Sequence, residues 1–450
     1  MPGSLFNRLV RTVVPPPNEA ARANRHASRL IDTWRELLSD RGEVSGAAIA
    51  REALAAYHDL DAAYLPAFFS MLAAEFSPSE ATLHHASEAY LADPSPASLI
   101  QLQLAAAAPR QELFRRLNQA PKGTATLVHM RERLLAGLAD YPDWQVMDAD
   151  LVHLFNSWFN RGFLTLQRID WHTPAIVLEK LIEHEAVHEI SGWHDLRRRL
   201  QADRRCFAFF HPALPDEPLI FIEVALVKGI SNAVQPLLDL EAPVADPEKA
   251  DTAVFYSITN CQRGLRGVSF GNLLIKQVAQ RLGEEFPRIK TFSTLSPIPG
   301  FTAWLARSAA EIEAQADAQP ALDAINTLNE PHWHQQPALA ESMQKVLMPL
   351  CAYYLLNAVR DGVPEDPVAR FHLGNGARAE RLNWLADTSA RGLKNCAGMM
   401  VNYVYHLDQI EDNHEVYIRE HRVAATHELR RLARESVLAQ PARSRNGAKA

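Results

Sequence analysis

Between Thr252 and Phe301 the chain reads TAVFYSIT, NCQRGLRGVSFGN, LLIKQVAQRLGEEFPRIK and TFSTLSPIPGF in succession. No other stretch constrains the fold as strongly. TAVFYSIT is rich in β-branched and aromatic residues and predicts a buried strand. The next segment carries Gly264, Gly267 and Gly271 and leads into the apolar spacing of an amphipathic helix. A second strand follows, ending in a turn where Ser296 precedes Pro297 and Pro299. Where a glycine-rich turn enters a helix, unpaired N–H groups and the helix dipole favour an anion. The stretch is therefore expected to hold a phosphate-bearing cofactor or substrate, with a reactive group at the end of its second strand.

At 450 residues the chain exceeds one ordinary core, and two domains are expected, at 1–155 and 156–450. From Glu19 to Phe159 the good helix formers Ala, Leu, Arg and Glu dominate. Ser45 precedes a run in which Ile49, Ala53, Leu54 and Tyr57 share one helical face. Ser77-Pro78-Ser79-Glu80 and Asp93-Pro94-Ser95-Pro96 read as helix starts; Pro121-Lys122-Gly123 and Tyr141-Pro142-Asp143 read as breaks. The spacing predicts a bundle of about six to eight helices with no evident chemistry, suited to oligomerisation or regulation. Beyond Trp171, strand-like runs at Cys206–Phe210 and Leu219–Val227 alternate with helices, which is the pattern of an α/β domain. Residues 303–360 turn helical again, and MMVNYVYHL near the end is strand-like.

The net charge of −7, without any long basic run, argues against nucleic acid as a partner. No apolar run reaches the roughly 18 residues of a membrane span, so no membrane association is expected. Cys206, Cys261, Cys351 and Cys396 are too scattered for a disulfide framework or a CxxC zinc site, which points to reduced thiols in the cytoplasm. The first residues, MPGSLFNRLVRTVVPPP, have two arginines and no acid, so a short targeting segment is the alternative.

Five constellations could carry chemistry. His184-Glu185-Ala186-Val187-His188 fits H-E-x-x-H, which on a helix would set two imidazoles on one face with Glu as base, and His194 could add a third ligand. A zinc peptidase is thus one reading, and a domain-junction helix without metal is the other. The loop Arg266, Gly267, Val268, Ser269, Phe270, Gly271 and Asn272 fits neither the Walker A nor the G-x-G-x-x-G pattern. It is closer to the loop with which GNAT acyltransferases cradle the coenzyme A pyrophosphate, and Arg263 and Arg266 could supplement its N–H groups. Ser296 is held at a strand end, a common functional position in α/β sheets, though it could equally cap the helix that follows. His372, before an Asn-Gly turn, reads as a strand-end histidine facing a site or as a structural one. Tyr403 and Tyr405 alternate and share a strand face, as core rings or with one phenol reaching a pocket.

Together these blocks resemble the malonyl-CoA decarboxylase family. The resemblance rests on FYSITNCQRGLRGVSFGNLLIKQV, FSTLSPIPGF, ARFHLGNGA and LNWLADTSARGLKNCAGMMVNYVY, with WFNRGFLTLQRIDWHTP and DLRRRLQADRRCFAFFHP upstream. It implies a helical N-terminal bundle used in self-association, as a dimer or tetramer, and an α/β GNAT-like acyltransferase-type catalytic domain. It implies decarboxylation of malonyl-CoA to acetyl-CoA and CO2 with no metal or organic cofactor, coenzyme A being part of the substrate. Ser296 and His372 match the catalytic positions, Tyr405 a supporting hydroxyl, and Arg266–Asn272 the coenzyme A loop. Ser269 departs from the Glu expected there in animal relatives. Another coenzyme A-dependent acyltransferase on the same scaffold is the alternative function.

Overall fold

The computed structural model describes residues 17–39, 41–268, 270 and 274–439. The chain divides into two compact units. One takes in residues 1–164, 211–215 and 262–270, and the other 165–210, 216–261 and 271–450.

The first unit is helical. Among the described residues it has eight α-helices, from Pro17–Leu37 to Gln145–Trp158. The serine punctuation works as the sequence suggests: Ser79 and Ser95 accept N–H bonds at the starts of the helices Glu80–Ala92 and Pro96–Ala106. Ser45 does not cap, because its helix already starts at Arg41. Ala53, Leu54 and Tyr57 are buried on the expected face. Tyr57 joins Trp34 and Phe68, whose rings meet edge-on at 5.0 Å, in an aromatic core.

The second unit is built on a sheet of β1 (Thr165–Ile169), β2 (Arg204–Phe210), β3 (Ile220–Val227), β4 (Thr252–Asn260), β5 (Thr291–Thr294), β6 (Ser296–Pro297), β9 (Arg378–Asn383) and β10 (Met400–Val404). A separate two-stranded ribbon pairs β7 (Val359–Arg360) with β8 (Val363–Pro364). β1 to β4 pair antiparallel in chain order. Cys206, Ala208, Phe210 and Phe221 pack against Val177, Leu178 and Leu181 of the helix Ala175–His184. Every residue of β2 is buried. From Cys206 to Phe210 its sequence accordingly runs apolar without alternating.

β4 and β5 are parallel, joined by a crossover containing the helix Leu274–Glu285. Their pairing runs from Thr252↔Thr291 to Phe255↔Thr294 and ends with the Leu295 N–H bonded to the Phe255 carbonyl at 2.9 Å. The β3–β4 register slips at the same level, where Glu223 pairs with Ser257 but Val224 with Phe255, leaving Tyr256 as a bulge. Beyond it β4 keeps β3 as its strand partner but loses β5. β10 then runs antiparallel along β5 and β6 on one side and β9 on the other.

Candidate active site

Ser296 opens β6, and its partner across the sheet is Val401 of β10. Pro297 and Pro299 lack N–H groups, so Ile298 and Gly300 supply the donors of this turn. Ile298 N–H is bonded to Cys396 Sγ at 3.3 Å. The hydroxyl does not cap the helix Phe301–Glu313, whose N-terminal residue Gly300 has no side-chain cap bond.

His372 is not at a strand end. It lies in the last turn of the helix Pro367–Gly374, capped by Asp366. Sequence signals for that helix are present: an Asp-Pro start, Ala369, His372 and Leu373 at helical spacing, and the Asn375-Gly376 stop. Gly376 takes φ +80°, and a Cβ there would lie 2.1 Å from the Ile410 carbonyl oxygen, so the chain must turn at a glycine. The helix delivers the imidazole into the interior, where burial pushes its pKa down to about 3.

Tyr405 follows β10 directly, its N–H bonded to the Phe292 carbonyl at 2.8 Å. Its hydroxyl lies 2.8 Å from His372 Nδ1. On the other edge of the ring, Nε2 lies 3.0 Å from Ser296 Oγ. Tyr403 stacks on the imidazole with centroids 4.7 Å apart. The structure thus brings Ser296, His372 and both tyrosines together. Ser296 donates to Thr294 Oγ1 at 2.9 Å, and Tyr403 N–H donates to the same oxygen at 3.1 Å. With its own proton used, Ser296 Oγ accepts from Nε2–H, and Nδ1 accepts from the Tyr405 hydroxyl. The row therefore runs Tyr405, His372, Ser296, Thr294, all neutral. Sequence reading missed Thr294; the signal was its position two residues before Ser296 on the same strand face. It also missed Asn402, whose amide bonds the Thr294 carbonyl at 2.8 Å and ties β10 to β5.

In the helical unit, the described part of the proposed coenzyme A loop forms a tight turn. Arg266 N–H bonds Arg263 O, Val268 N–H bonds Leu265 O, and Gly267 takes φ +80°. The Arg131 guanidinium, paired with Asp148, donates to the carbonyls of Gly264 and Arg266 at 2.7 and 2.8 Å. A Cβ at Gly264 would stand 1.9 Å from the Val128 carbonyl oxygen, so this position takes glycine. Ser269, Gly271 and Asn272 lie outside the described residues; Phe270 is half-buried, its ring 6.5 Å from that of Phe159.

The H-E-x-x-H segment is not a helical pair of imidazoles. The helix Ala175–His184 ends at the first histidine, and Glu185 turns inward with extended backbone. Its carboxylate accepts from the N–H groups of Val187 and His188 and from the hydroxyls of Ser257 and Thr259. Glu185 is thus a buried brace for β4, and the zinc-peptidase reading does not fit this geometry. Among the described residues no three His, Cys, Asp or Glu side chains converge as a metal site.

Comparison with known proteins bears on the family of the chain. The family models of the malonyl-CoA decarboxylase N-terminal and C-terminal domains match residues 76–159 and 162–445. The mitochondrial malonyl-CoA decarboxylase of Anser anser anser is 39% identical over 341 residues, covering 70% of this chain and 68% of that protein. The Rattus norvegicus enzyme is 37% identical over 342 residues, with coverages of 70% and 69%. The crystal structure of malonyl-CoA decarboxylase from Rhodopseudomonas palustris superposes with a TM-score of 0.85 at 49% identity, covering 90% of this chain and 99% of that one. The corresponding structure from Cupriavidus metallidurans gives 0.70 at 35% identity, with coverages of 91% and 99%. With both family domains present in order, the chain belongs to the malonyl-CoA decarboxylase family.

Proposed function

We propose that this carboxy-lyase converts malonyl-CoA to acetyl-CoA and CO2 at the row Tyr405–His372–Ser296. The observation that carries the mechanism is the 3.0 Å contact between Ser296 Oγ and His372 Nε2. When the bond between C2 and the carboxylate breaks, its electron pair moves onto the thioester oxygen and CO2 leaves. The enolate needs donors at that oxygen. The Ser296 hydroxyl, turned from Thr294, and Nε2–H of the neutral imidazole supply them, and one such preorganised donor is worth about 3–4 kcal/mol. A pKa of about 3 keeps His372 from becoming an imidazolium. That matters, because a cation beside the substrate carboxylate would stabilise the ground state more than the transition state. The pair then returns to C2, which takes a proton that water supplies and the hydroxyl row passes on.

Arg266–Asn272 are proposed to hold the coenzyme A phosphates, with Arg266 as the charged partner. Homo-oligomerisation through the helical unit is proposed from Leu91, Ile100 and Leu104, which are more than half exposed on the helices Glu80–Ala92 and Pro96–Ala106. No helix among the described residues is long and apolar enough to cross a membrane. A cytoplasmic location is proposed from the four cysteines, all free.

The test is incubation with malonyl-CoA alone. Acetyl-CoA and CO2 formed in equal amounts without an acyl acceptor support the reading; product formed only with an added acceptor overturns it in favour of acyl transfer.

A further inference from the structure

The turn Leu265–Val268 is held from the helix Gly123–Gly137. Gly264 lets the two approach, since only a residue without Cβ fits against the Val128 carbonyl. Arg131, three residues beyond Val128 on the same helix face, then reaches the loop. It is buried, its Nε donating to Asp148 at 2.7 Å and its Nη1 to the carbonyls of Gly264 and Arg266 at 2.7 and 2.8 Å. Burying a guanidinium is costly unless its donors are used, and here two of these three bonds go to one turn of backbone.

The bond to Arg266 decides which way the turn faces. Arg266 has φ −57° and ψ 128°, Gly267 has φ +80°, and Val268 N–H bonds the Leu265 carbonyl, which is the pattern of a type II turn. A type I turn differs by a flip of the one peptide between Arg266 and Gly267, and glycine accepts either form. In a trans peptide the C=O and N–H point opposite ways. With the Arg266 carbonyl drawn to Arg131, the Gly267 N–H is turned away from the helix. It has no backbone acceptor among the described residues, Gly267 is exposed, and a Cβ there would meet nothing within 4 Å. Arg263 and Arg266 are exposed on the same turn. Flipped, the peptide would present a carbonyl where it now presents a donor, and a carbonyl repels an anion.

We infer that Arg131 is a positioning residue for substrate binding: it fixes the Arg266–Gly267 peptide so that its N–H is presented to the coenzyme A phosphates. The helical unit thereby takes part in recognising the substrate, beyond the self-association proposed above. The inference rests on the proposed role of Arg266–Asn272 as the coenzyme A loop.

Arg131→Met keeps a long side chain of good helix propensity but removes the donors. Arg131→Lys keeps the charge but not the planar fork that serves Asp148 and both carbonyls at once. Each is assayed on malonyl-CoA and on malonyl-pantetheine, which carries the same thioester without phosphates. KM for malonyl-CoA is expected to rise about 10- to 100-fold in Arg131→Met, the worth of a hydrogen bond to a charged group, and more than about twofold in Arg131→Lys, with kcat within about threefold of wild type. For malonyl-pantetheine, kcat/KM should stay within about twofold in both variants. That split marks positioning, because a general loosening of the fold lowers turnover of the two substrates alike. Equal losses on both substrates, or a KM for malonyl-CoA within about twofold of wild type, overturn the inference. If Arg131→Met does not fold, Arg131→Lys decides alone. Arg266→Ala tests the loop itself. If it raises KM for malonyl-CoA while the Arg131 variants do not, the positioning role alone is wrong; if none of the three raises it, coenzyme A binds elsewhere and the loop assignment falls too.

Discussion

Ser296 Oγ and His372 Nε2 are 3.0 Å apart although 76 positions separate the two residues in the chain. One sits on a two-residue strand, the other in the last turn of a short helix. If they act together on the enolate, Ser296→Ala and His372→Ala should each lower kcat about 100- to 1,000-fold. The double variant should be little worse than either single one, because they serve one oxygen. Steady-state release of CO2 measures this, and full additivity of the two losses argues for separate roles.

Tyr405 fixes the tautomer. Tyr405→Phe keeps the ring but leaves His372 Nδ1 without its hydroxyl partner. A buried acceptor without a donor costs about 1–3 kcal/mol, so turnover should fall about 5- to 100-fold as the proton shifts between ring nitrogens. Nitrogen chemical shifts of the imidazole would report the exchange; an unchanged tautomer with unchanged kcat contradicts the assignment.

His372 also predicts how stability depends on pH. Its pKa is depressed from 6.5 to about 3 in the folded chain. Between these values the unfolded state binds a proton that the native state refuses, so stability falls as pH drops through this window and is fully present above it. His372→Gln should flatten that part of the curve. Urea midpoints at a series of pH values test it, and identical slopes for the two proteins would count against a neutral, buried imidazole.

Gly264→Ala would force a Cβ to within 1.9 Å of the Val128 carbonyl oxygen, so the turn held by Arg131 must move. Loss of stability by about 1–3 kcal/mol is expected, as for other overpacked sites. If the loop holds coenzyme A, KM for malonyl-CoA should rise more than kcat falls. A change confined to kcat would place coenzyme A elsewhere.

Glu185 braces β4, with four donors on its carboxylate. Glu185→Ala should cost at least about 2 kcal/mol through the donors left unpaired. Prolonged chelation of the wild-type protein should leave turnover unchanged. Restoration of lost activity by added zinc would revive the metal reading.

Much of this architecture is legible in one sequence. The helical run to Phe159, the apolar strands β2 to β4 and the strand–loop–helix–strand unit follow from propensity and periodicity, which act over a few residues. His372 was legible as a residue of interest but not as a helical one: its flanking Phe371 and Leu373 look strand-like, and the Asp366 cap and the Gly376 stop decide otherwise. H-E-x-x-H misled in the opposite direction. Its spacing implies one helix face only if the helix continues, and the bonds from Ser257 and Thr259 to Glu185 reward ending it at His184.

The sequence by itself determined that a strand from Thr252 would feed a glycine-bearing loop, a helix and a second strand ending in Ser296, because each of those features is encoded locally. What the serine faces was decided by tertiary structure alone. β10 returns antiparallel along β5 and β6, bringing Tyr403 and Tyr405 with it, and the helix from Pro367 supplies the imidazole between them. Those contacts form between segments far apart in the chain, where local preference carries no information. They hold because a buried polar group left without a partner is costly, and in the folded chain these groups partner one another.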